Sequence, residues 1–267
     1  MRKYLNFIIL FLTITVLSGC SEYSKVLKNG DNEAKKEFAI KSYDEGKYIQ
    51  AITLLEEIIP FYKLTIEGED LYFMYCMSNY ELGDYYLSAY YFRRFIRQYP
   101  NSPKVEDALF LGALCSVHNS PEYHLDQTET LNALDQMQIF VDLYPNSTRI
   151  DTCNIIMDNL RSKLELKKFS GAMLYYNTGH YGAAVVALNS TIEEYPNSPH
   201  KEDILYHLVL SHYKLAINSV PYKKEERLND TIKSINKFVA TFPESKHINE
   251  VESIRKNTEA ELKKFGK

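Results

Sequence analysis

The side chains able to perform catalysis or to bind a metal are not arranged in a pattern that such chemistry needs. His207 and His212 lie five residues apart, so they do not share the helix face that a spacing of three or four would give. No glycine-rich phosphate loop, His-Glu-x-x-His sequence or nucleophile elbow occurs. Adjacent carboxylates diverge in direction on a helix, and the pairs concerned are Glu56-Glu57, Glu193-Glu194 and Glu225-Glu226. The sequence therefore predicts no enzyme, no metal site and no cofactor.

The composition favours an all-helical protein that binds through its surface. The 267 residues include 22 Tyr and 13 Phe but no Trp, and only 10 Gly and 9 Pro. That is too little glycine for a nucleotide-loop α/β enzyme, and too few turn residues for a protein of many strands. The formal net charge of −4 and the pI near 6.0 are unlike those of proteins that bind phosphate backbones, so nucleic acid is not an expected partner.

The N-terminus has the layout of a secretory signal peptide. Arg2 and Lys3 precede an apolar run from Phe7 to Leu17, which is too short to span a bilayer as a helix. The following Leu17-Ser-Gly-Cys20 stretch resembles the lipobox of bacterial lipoproteins. This resemblance implies removal of residues 1–19 and attachment of lipid to Cys20, which anchors the chain in a membrane.

The residues after the cysteine bear on the location. Ser21 stands where Gram-negative lipoproteins retained in the inner membrane carry aspartate, and residues 22–25 lack the dense acidic cluster of lipoproteins exported to the surface. The resemblance therefore implies the outer membrane of a Gram-negative bacterium, with the chain lipid-anchored on the periplasmic side. Residues 20–30 are expected to form a lipidated tether.

The remaining three cysteines are an odd number and lie in apolar stretches with helical periodicity. Cys76, Cys115 and Cys153 are interpreted as small buried hydrophobic residues. A disulfide between Cys76 and Cys115 stays open as an alternative.

A proline motif recurs along the chain at spacings of 45, 51 and 47 residues, which is typical of a solenoid of repeats. The residue before a proline avoids the α-helical region, so each motif is expected to end one helix. In the first copy, Ser102 is expected to cap the next helix, with Pro103 in its first turn. The four copies are Tyr99-Pro-Asn-Ser-Pro103, Tyr144-Pro-Asn-Ser-Thr148, Tyr195-Pro-Asn-Ser-Pro199 and Phe242-Pro-Glu-Ser-Lys246.

A second pattern precedes each motif. The position 17 residues before the motif proline is Gly83, Thr128, Gly179 or Glu226, and Gly46 marks a further copy near the N-terminus. The three glycines each begin a Gly-x-Tyr sequence. A small residue follows about five positions later, and large residues follow nine and twelve positions later. This rhythm predicts an amphipathic helix with one buried face. The large positions are Leu55 and Ile58, Phe92 and Phe95, Met137 and Phe140, Leu188 and Thr191, and Ile235 and Phe238.

These patterns resemble the second half of a tetratricopeptide repeat, whose standard unit has 34 residues. The expected fold is all-α, an α-α superhelix of about five helix pairs. An insertion from Asn119 to Gln127 is expected within the third pair. The repeats are placed at residues 31–63, 68–100, 103–145, 150–196 and 199–243, with a C-terminal helix at 245–265.

The chain also resembles the BamD family, the tetratricopeptide lipoproteins of the outer-membrane β-barrel assembly machinery. The resemblance is carried by the lipobox and by Ala51–Glu56, Phe140–Ser147, Leu160–Leu164, Ala172–Val186 and Tyr195–Ser198. It implies a non-catalytic scaffold whose C-terminal repeats hold the barrel-forming core subunit. It also implies that an N-terminal groove receives the C-terminal targeting segments of unfolded outer-membrane proteins.

The repeat register identifies candidate groove residues. Tyr43 and Tyr80 stand three positions before a repeat glycine, and Lys36 and Phe73 stand ten before. Met77 stands six before Gly83. In tetratricopeptide folds these positions belong to the inward helix, so the five side chains are expected to line a peptide-binding groove. Tyr and Phe suit this role because their rings offer a large rigid contact area.

Two alternative functions stay open. The first is a periplasmic tetratricopeptide lipoprotein that acts as an adaptor in cell division, pilus or secretion assembly. The second is an envelope enzyme such as a peptidoglycan hydrolase built from residues distant in sequence.

Overall fold

A computed structural model describes residues 22–63 and 65–265, and all of its regular structure is helical. The described part of the chain contains no strand, which confirms the predicted all-α class. Helical residues 22–29 form α1. The later helices are α2 (Asn32–Asp44), α3 (Tyr48–Tyr62), α4 (Ile66–Glu81), α5 (Tyr85–Gln98), α6 (Val105–Asn119), α7 (Thr128–Leu143), α8 (Ile150–Asn177), α9 (Tyr181–Glu194), α10 (Lys201–Ile217), α11 (Pro221–Thr241) and α12 (Ile248–Leu262).

Helices α2 to α11 form five consecutive pairs, as in tetratricopeptide repeats. Four pairs are joined by three-residue turns, whereas α6 and α7 are joined by residues 120–127, within the predicted insertion. The helices belong to two compact units. The first comprises residues up to 121 together with 126–157, and the second comprises 122–125 together with 158 onward.

The second helix of each pair buries the face that the sequence periodicity predicts. All ten large positions named above are fully buried, with no exposed surface. The small residues that precede them are buried as well, and they allow the two helices of a pair to approach closely. They are Ala51, Ser88, Ala89, Ala133, Ala184 and Thr231.

Each repeat glycine closes its helix pair by adopting a left-handed conformation. Gly46, Gly83 and Gly179 have φ angles of 72°, 79° and 79°. In the last of these turns the Gly179 N–H donates to the Tyr176 carbonyl and the His180 N–H to the Tyr175 carbonyl. This Schellman arrangement satisfies carbonyls that the end of a helix would otherwise leave unpaired.

A tyrosine pair lies across each of these glycine turns. The ring three residues before the glycine meets, edge to face, the ring two residues after it. The centroids are 5.7 Å apart for Tyr43 and Tyr48, 5.5 Å for Tyr80 and Tyr85, and 5.8 Å for Tyr176 and Tyr181. The Gly-x-Tyr motif thus supplies both the turn and an aromatic contact that holds it.

Replacing Gly179 by Ala should destabilise the second unit by about 1–2 kcal/mol, because an L-residue resists positive φ. No atom lies within 4 Å of an added Cβ there, so the cost is conformational. Gly171 is a matched control, since it is exposed in the middle of α8 with the same open space. Gly171→Ala should instead stabilise by about 0.5–1 kcal/mol. Urea unfolding of both variants measures the difference, and equal shifts would contradict the assigned turn.

Part of the predicted tether is folded. Residues 22–29 are helical, and Tyr23, Val26 and Leu27 pack against the buried cluster formed by α2, α3 and α4. The Tyr23 and Phe38 ring centroids are 6.2 Å apart. The chain is therefore held against the first helix pair almost from the first described residue.

The described cysteines are free. Cys76, Cys115 and Cys153 have no exposed surface, which fits their interpretation as small buried hydrophobic residues, and no bridge joins Cys76 to Cys115. Burial raises the pKa of the Cys115 thiol to about 11. Cys20 and the predicted signal peptide lie outside the described residues. Among residues 22–63 and 65–265, none of the helices combines the length with the apolar composition that a membrane span requires.

Candidate peptide-binding face

The five predicted groove residues lie on the first helices of two successive pairs. Lys36 and Tyr43 belong to α2, and Phe73, Met77 and Tyr80 belong to α4. Residues four and seven positions apart share one face of a helix, so the three α4 side chains are neighbours. We call these five residues the candidate peptide-binding face. All of them are partly buried.

Lys36 is already engaged by two carboxylates. Its ammonium lies 2.7 Å from Glu33 and 3.0 Å from Glu67, and it sits 5.3 Å from the centre of the Tyr62 ring. Hydrogen bonds to Glu33 and Glu67 raise the pKa of Lys36. Because Glu67 lies in the first turn of α4, this ion pair joins α2 to α4 at one end of the face. A peptide carboxylate would have to compete with both partners for this ammonium.

Phe73 is packed into the core of the second helix pair. Its ring meets the buried Phe92 and Phe95 rings edge to face at 5.9 and 5.4 Å. The Lys104 ammonium lies 5.4 Å from its centre. Met77 packs against the same buried cluster. Truncating Phe73 to Ala would therefore also disturb the core. A replacement that keeps a large apolar side chain, such as Leu, is the better probe of binding.

The two tyrosines lie at the glycine-turn end of the face. Burial raises the pKa of both Tyr43 and Tyr80. The Tyr80 hydroxyl lies 3.3 Å from Nε2 of His118 on α6, and the His118 ring stacks on Tyr85 with centroids 4.2 Å apart. Register alone did not reveal His118 as a neighbour of Tyr80, because the contact joins residues 38 positions apart.

The second unit repeats the aromatic part of this arrangement. Phe169, Met173 and Tyr176 occupy the same register before Gly179. The Phe169 ring stacks on His200, and the Tyr176 ring meets His207 edge to face at 5.2 Å. A histidine on the first helix of the next pair, or directly before that helix, therefore borders these rings, as His118 borders Tyr80.

Each proline motif forms a recurring contact that we call the connector clamp. The motif serine donates a hydrogen bond to a Glu on the first helix of the pair that the motif ends. An aromatic residue stands four positions after that Glu on the same helix. Its ring is covered by the side chain of the residue two positions after the serine. The clamps are Ser102, Glu69, Lys104 and Phe73; Ser147, Glu106, Arg149 and Phe110; Ser198, Glu165, His200 and Phe169; and Ser245, Glu202, His247 and Tyr206.

Helix α6 starts later than the sequence predicts, and Ser102 is not its N-cap. Ser102 was predicted to cap the next helix with Pro103 in its first turn, but α6 begins at Val105 and its N-cap is Lys104. The Val105 N–H bonds to the Ser102 carbonyl in a turn, and the Lys104 N–H donates to the Ser102 hydroxyl at 3.0 Å. The serine still satisfies a backbone donor, while its own proton goes to Glu69.

Ser198→Ala should cost about 2 kcal/mol, because it leaves the buried Glu165 carboxylate without its serine donor. Ser147→Ala is the matched control, since its partner Glu106 is 38% exposed and lies near Arg149. That variant should cost less than about 1 kcal/mol. Chemical denaturation of the two variants tests the difference, and equal costs would show that burial of the Glu does not decide the energy of the clamp.

The described residues offer no metal centre. No group of three or more His, Cys, Asp or Glu side chains within 22–63 and 65–265 is placed to hold an ion. What the face presents is a set of partly buried aromatic and thioether side chains with one neutralised cation. Such a surface can contact an extended segment through rings and apolar groups.

The helix pairs, left-handed glycine turns and connector clamps define an α-helical repeat protein of the tetratricopeptide class. The sequence model of the YfiO family, described as "Outer membrane lipoprotein", matches residues 31–185 and 168–259. The chain therefore belongs to the YfiO family of outer membrane lipoproteins, and the resemblance to BamD is confirmed at the level of the family.

Two similar proteins carry the same name. The chain is 26% identical over 125 residues to "Outer membrane protein assembly factor BamD" of Caulobacter vibrioides, which covers 47% of this chain and 41% of that protein. It is 21% identical over 233 residues to the protein of that name in Pasteurella multocida, and this match covers 84% of this chain and 89% of that protein. The first match thus spans less than half the length of the Caulobacter relative, whereas the second spans nearly all of its relative.

Proposed function

We propose that this chain is a non-catalytic scaffold of the outer-membrane β-barrel assembly machinery. In this role it is anchored by lipid on Cys20 to the periplasmic side of the outer membrane of a Gram-negative bacterium. It binds the barrel-forming core subunit and unfolded outer-membrane proteins. The observation that carries the proposal is the family match over residues 31–259, together with two relatives named as assembly factors.

The helical architecture suits a scaffold. Stacked helix pairs present extended surfaces that rigid packing holds in place, which is the usual basis of binding by repeat proteins. The connector clamps fix each pair to the next connector through a hydrogen bond and a ring contact. These features supply fixed surfaces for protein partners and require no bound cofactor.

The candidate peptide-binding face is proposed as the receptor for substrate. Targeting segments at the C-terminus of outer-membrane proteins are extended and end in an aromatic residue. Phe73, Met77 and Tyr80 supply apolar and aromatic contacts on one helix, and Tyr43 lies on the neighbouring α2. An aromatic terminal residue would pack against these side chains, since paired rings contribute about 0.5–1.5 kcal/mol beyond burial.

Controlled depletion of the chain in its own bacterium tests the proposal. Folded β-barrel proteins resist unfolding in cold detergent and migrate differently from the heated forms, so their amount is measured directly. Depletion should lower the folded fraction of several unrelated barrel proteins, while lipoproteins without barrels keep their normal level. Unchanged barrel folding after depletion would contradict the proposed role.

A further inference from the structure

One face of α5 carries aromatic and cationic side chains that no described helix covers. Tyr86 and Tyr90 are 63% and 46% exposed, and Arg93, Arg94 and Arg97 are exposed as well. Four of the positions advance by three or four residues, and Arg94 lies four after Tyr90, so the side chains form one stripe along the helix. We call these five residues the α5 stripe.

The charge of the α5 stripe is uncompensated. Within the described residues, no carboxylate lies within 4 Å of any of the three arginines, although ion pairs form on many of the other helices. The sequence from residue 85 to residue 105 contains no Asp or Glu. The whole chain nevertheless has a formal charge of −4, and removal of Arg2 and Lys3 with a signal peptide would make it more acidic. Three free guanidinium groups on one helix therefore indicate an anionic binding partner.

The α5 stripe belongs to the same unit as α1, the helix that follows the proposed lipid anchor. Cys20 precedes the first described residue by two positions, and two residues of chain reach at most about 7 Å. Helix α1 then packs against the first helix pair through Tyr23, Val26 and Leu27. Tyr91 of α5 packs against the same cluster. A lipid at Cys20 would thus keep this end of the first unit close to the membrane.

We propose that the α5 stripe docks on anionic phospholipid headgroups of the membrane that holds the anchor, and thereby orients the first unit on the bilayer. This inference rests on the lipidation of Cys20 proposed above. Guanidinium groups bind phosphate oxygens with two parallel hydrogen bonds. Tyrosine rings favour the headgroup level of a bilayer, where one end of the ring is apolar and the hydroxyl stays hydrated.

The strength expected of such a contact suits an anchored protein. Each cation near an anionic leaflet favours binding about fivefold, so three arginines together favour it about a hundredfold. This is weak for a protein free in solution, but the anchor already supplies a high local concentration of headgroups. An acidic face of a protein partner would also attract these side chains. The lipid surface is preferred because the anchor places it within reach whether or not a partner is bound.

A single tryptophan reports on the contact, because the chain contains none of its own. The full chain carrying Tyr86→Trp is purified from membranes and reconstituted into phosphatidylethanolamine vesicles with or without phosphatidylglycerol. Some of the headgroups carry a nitroxide quencher. We expect phosphatidylglycerol to shift the emission to the blue and increase its quenching. Replacing Arg93, Arg94 and Arg97 by Gln in the same chain should abolish both effects.

Three exposed lysines of the second unit provide the matched control. Replacing Lys237, Lys246 and Lys256 by Gln removes the same charge and should leave the emission response unchanged. The inference is overturned if phosphatidylglycerol has no effect, if the arginine variant responds like the parent, or if both triple variants lose the response equally. It is also overturned if quenching needs an added protein partner. Mass spectrometry of Cys20 reports separately on the anchor, so its failure is distinguished from that of the α5 stripe.

Discussion

Replacing Phe73 by Leu together with Met77 by Ala should weaken binding of an aromatic-ended peptide about tenfold. The two changes remove one ring and most of one thioether side chain from the candidate peptide-binding face, and a combined loss of about 1.4 kcal/mol corresponds to this factor. Leu retains an apolar body against Phe92 and Phe95, which limits damage to the core. Fluorescence polarisation with a short labelled peptide ending in Phe and a free carboxylate measures the affinity.

The second unit supplies a control of the same chemistry. Phe169→Leu with Met173→Ala changes the same residue types in the same register, next to His200 in place of Lys104. This variant should bind the peptide as tightly as the parent chain if the N-terminal helices carry the site. Equal weakening by both variants would show that residues at these repeat positions bind the peptide in both units, and that the site is not confined to the first unit. Unchanged affinity in the variant with Phe73→Leu and Met77→Ala would show that neither residue belongs to the site.

Replacing Cys20 by Ala should abolish incorporation of labelled fatty acid completely, because Cys20 is the proposed lipid attachment site. Each buried methylene contributes about 0.8 kcal/mol, so several acyl chains hold a protein on a membrane essentially permanently. When residues 1–19 are also exchanged for a signal peptide of non-lipidated proteins, the Cys20→Ala chain should be recovered from the soluble periplasmic fraction. Radiolabelled palmitate and membrane fractionation provide the two measurements.

Cys153→Ala serves as the control, since it removes a different cysteine from the same chain. Cys153 is buried against Met137 and Phe140 and is expected to carry no lipid, so labelling should persist. Persistent labelling of the Cys20→Ala chain would locate the lipid elsewhere. It would also remove the basis for placing the α5 stripe near a membrane.

The helical architecture was predictable because its determinants are local. The pattern consists of a glycine at the end of a helix, then a small residue, then two large residues. Each of these positions follows the one before it by about one helical turn. Together they determine a turn and the buried face of the next helix. Leu55, Phe92, Met137, Leu188 and Ile235 are all fully buried as that spacing requires. The tyrosine pair across each turn follows from the same short motif.

The surroundings of the candidate site were not predictable from register, because they depend on residues far apart in sequence. Lys36 was expected to line a groove, and Glu67, which engages it, lies 31 residues away. Phe73 was expected beside it, yet Lys104 lies over its ring. One signal was present in the sequence: every Tyr/Phe-Pro-x-Ser motif is preceded by a Glu with an aromatic residue four positions later. That pairing identifies the connector clamp.

The proposed role in barrel assembly is tested most directly by affinity purification of the full chain. A C-terminal tag, extraction in mild detergent and identification of every protein that co-purifies are sufficient. The proposal predicts recovery of a large β-barrel protein with periplasmic repeats, in amounts comparable to the tagged chain. Recovery of cell division, pilus or secretion components without that barrel protein would contradict the proposal and favour an adaptor on the same helical fold.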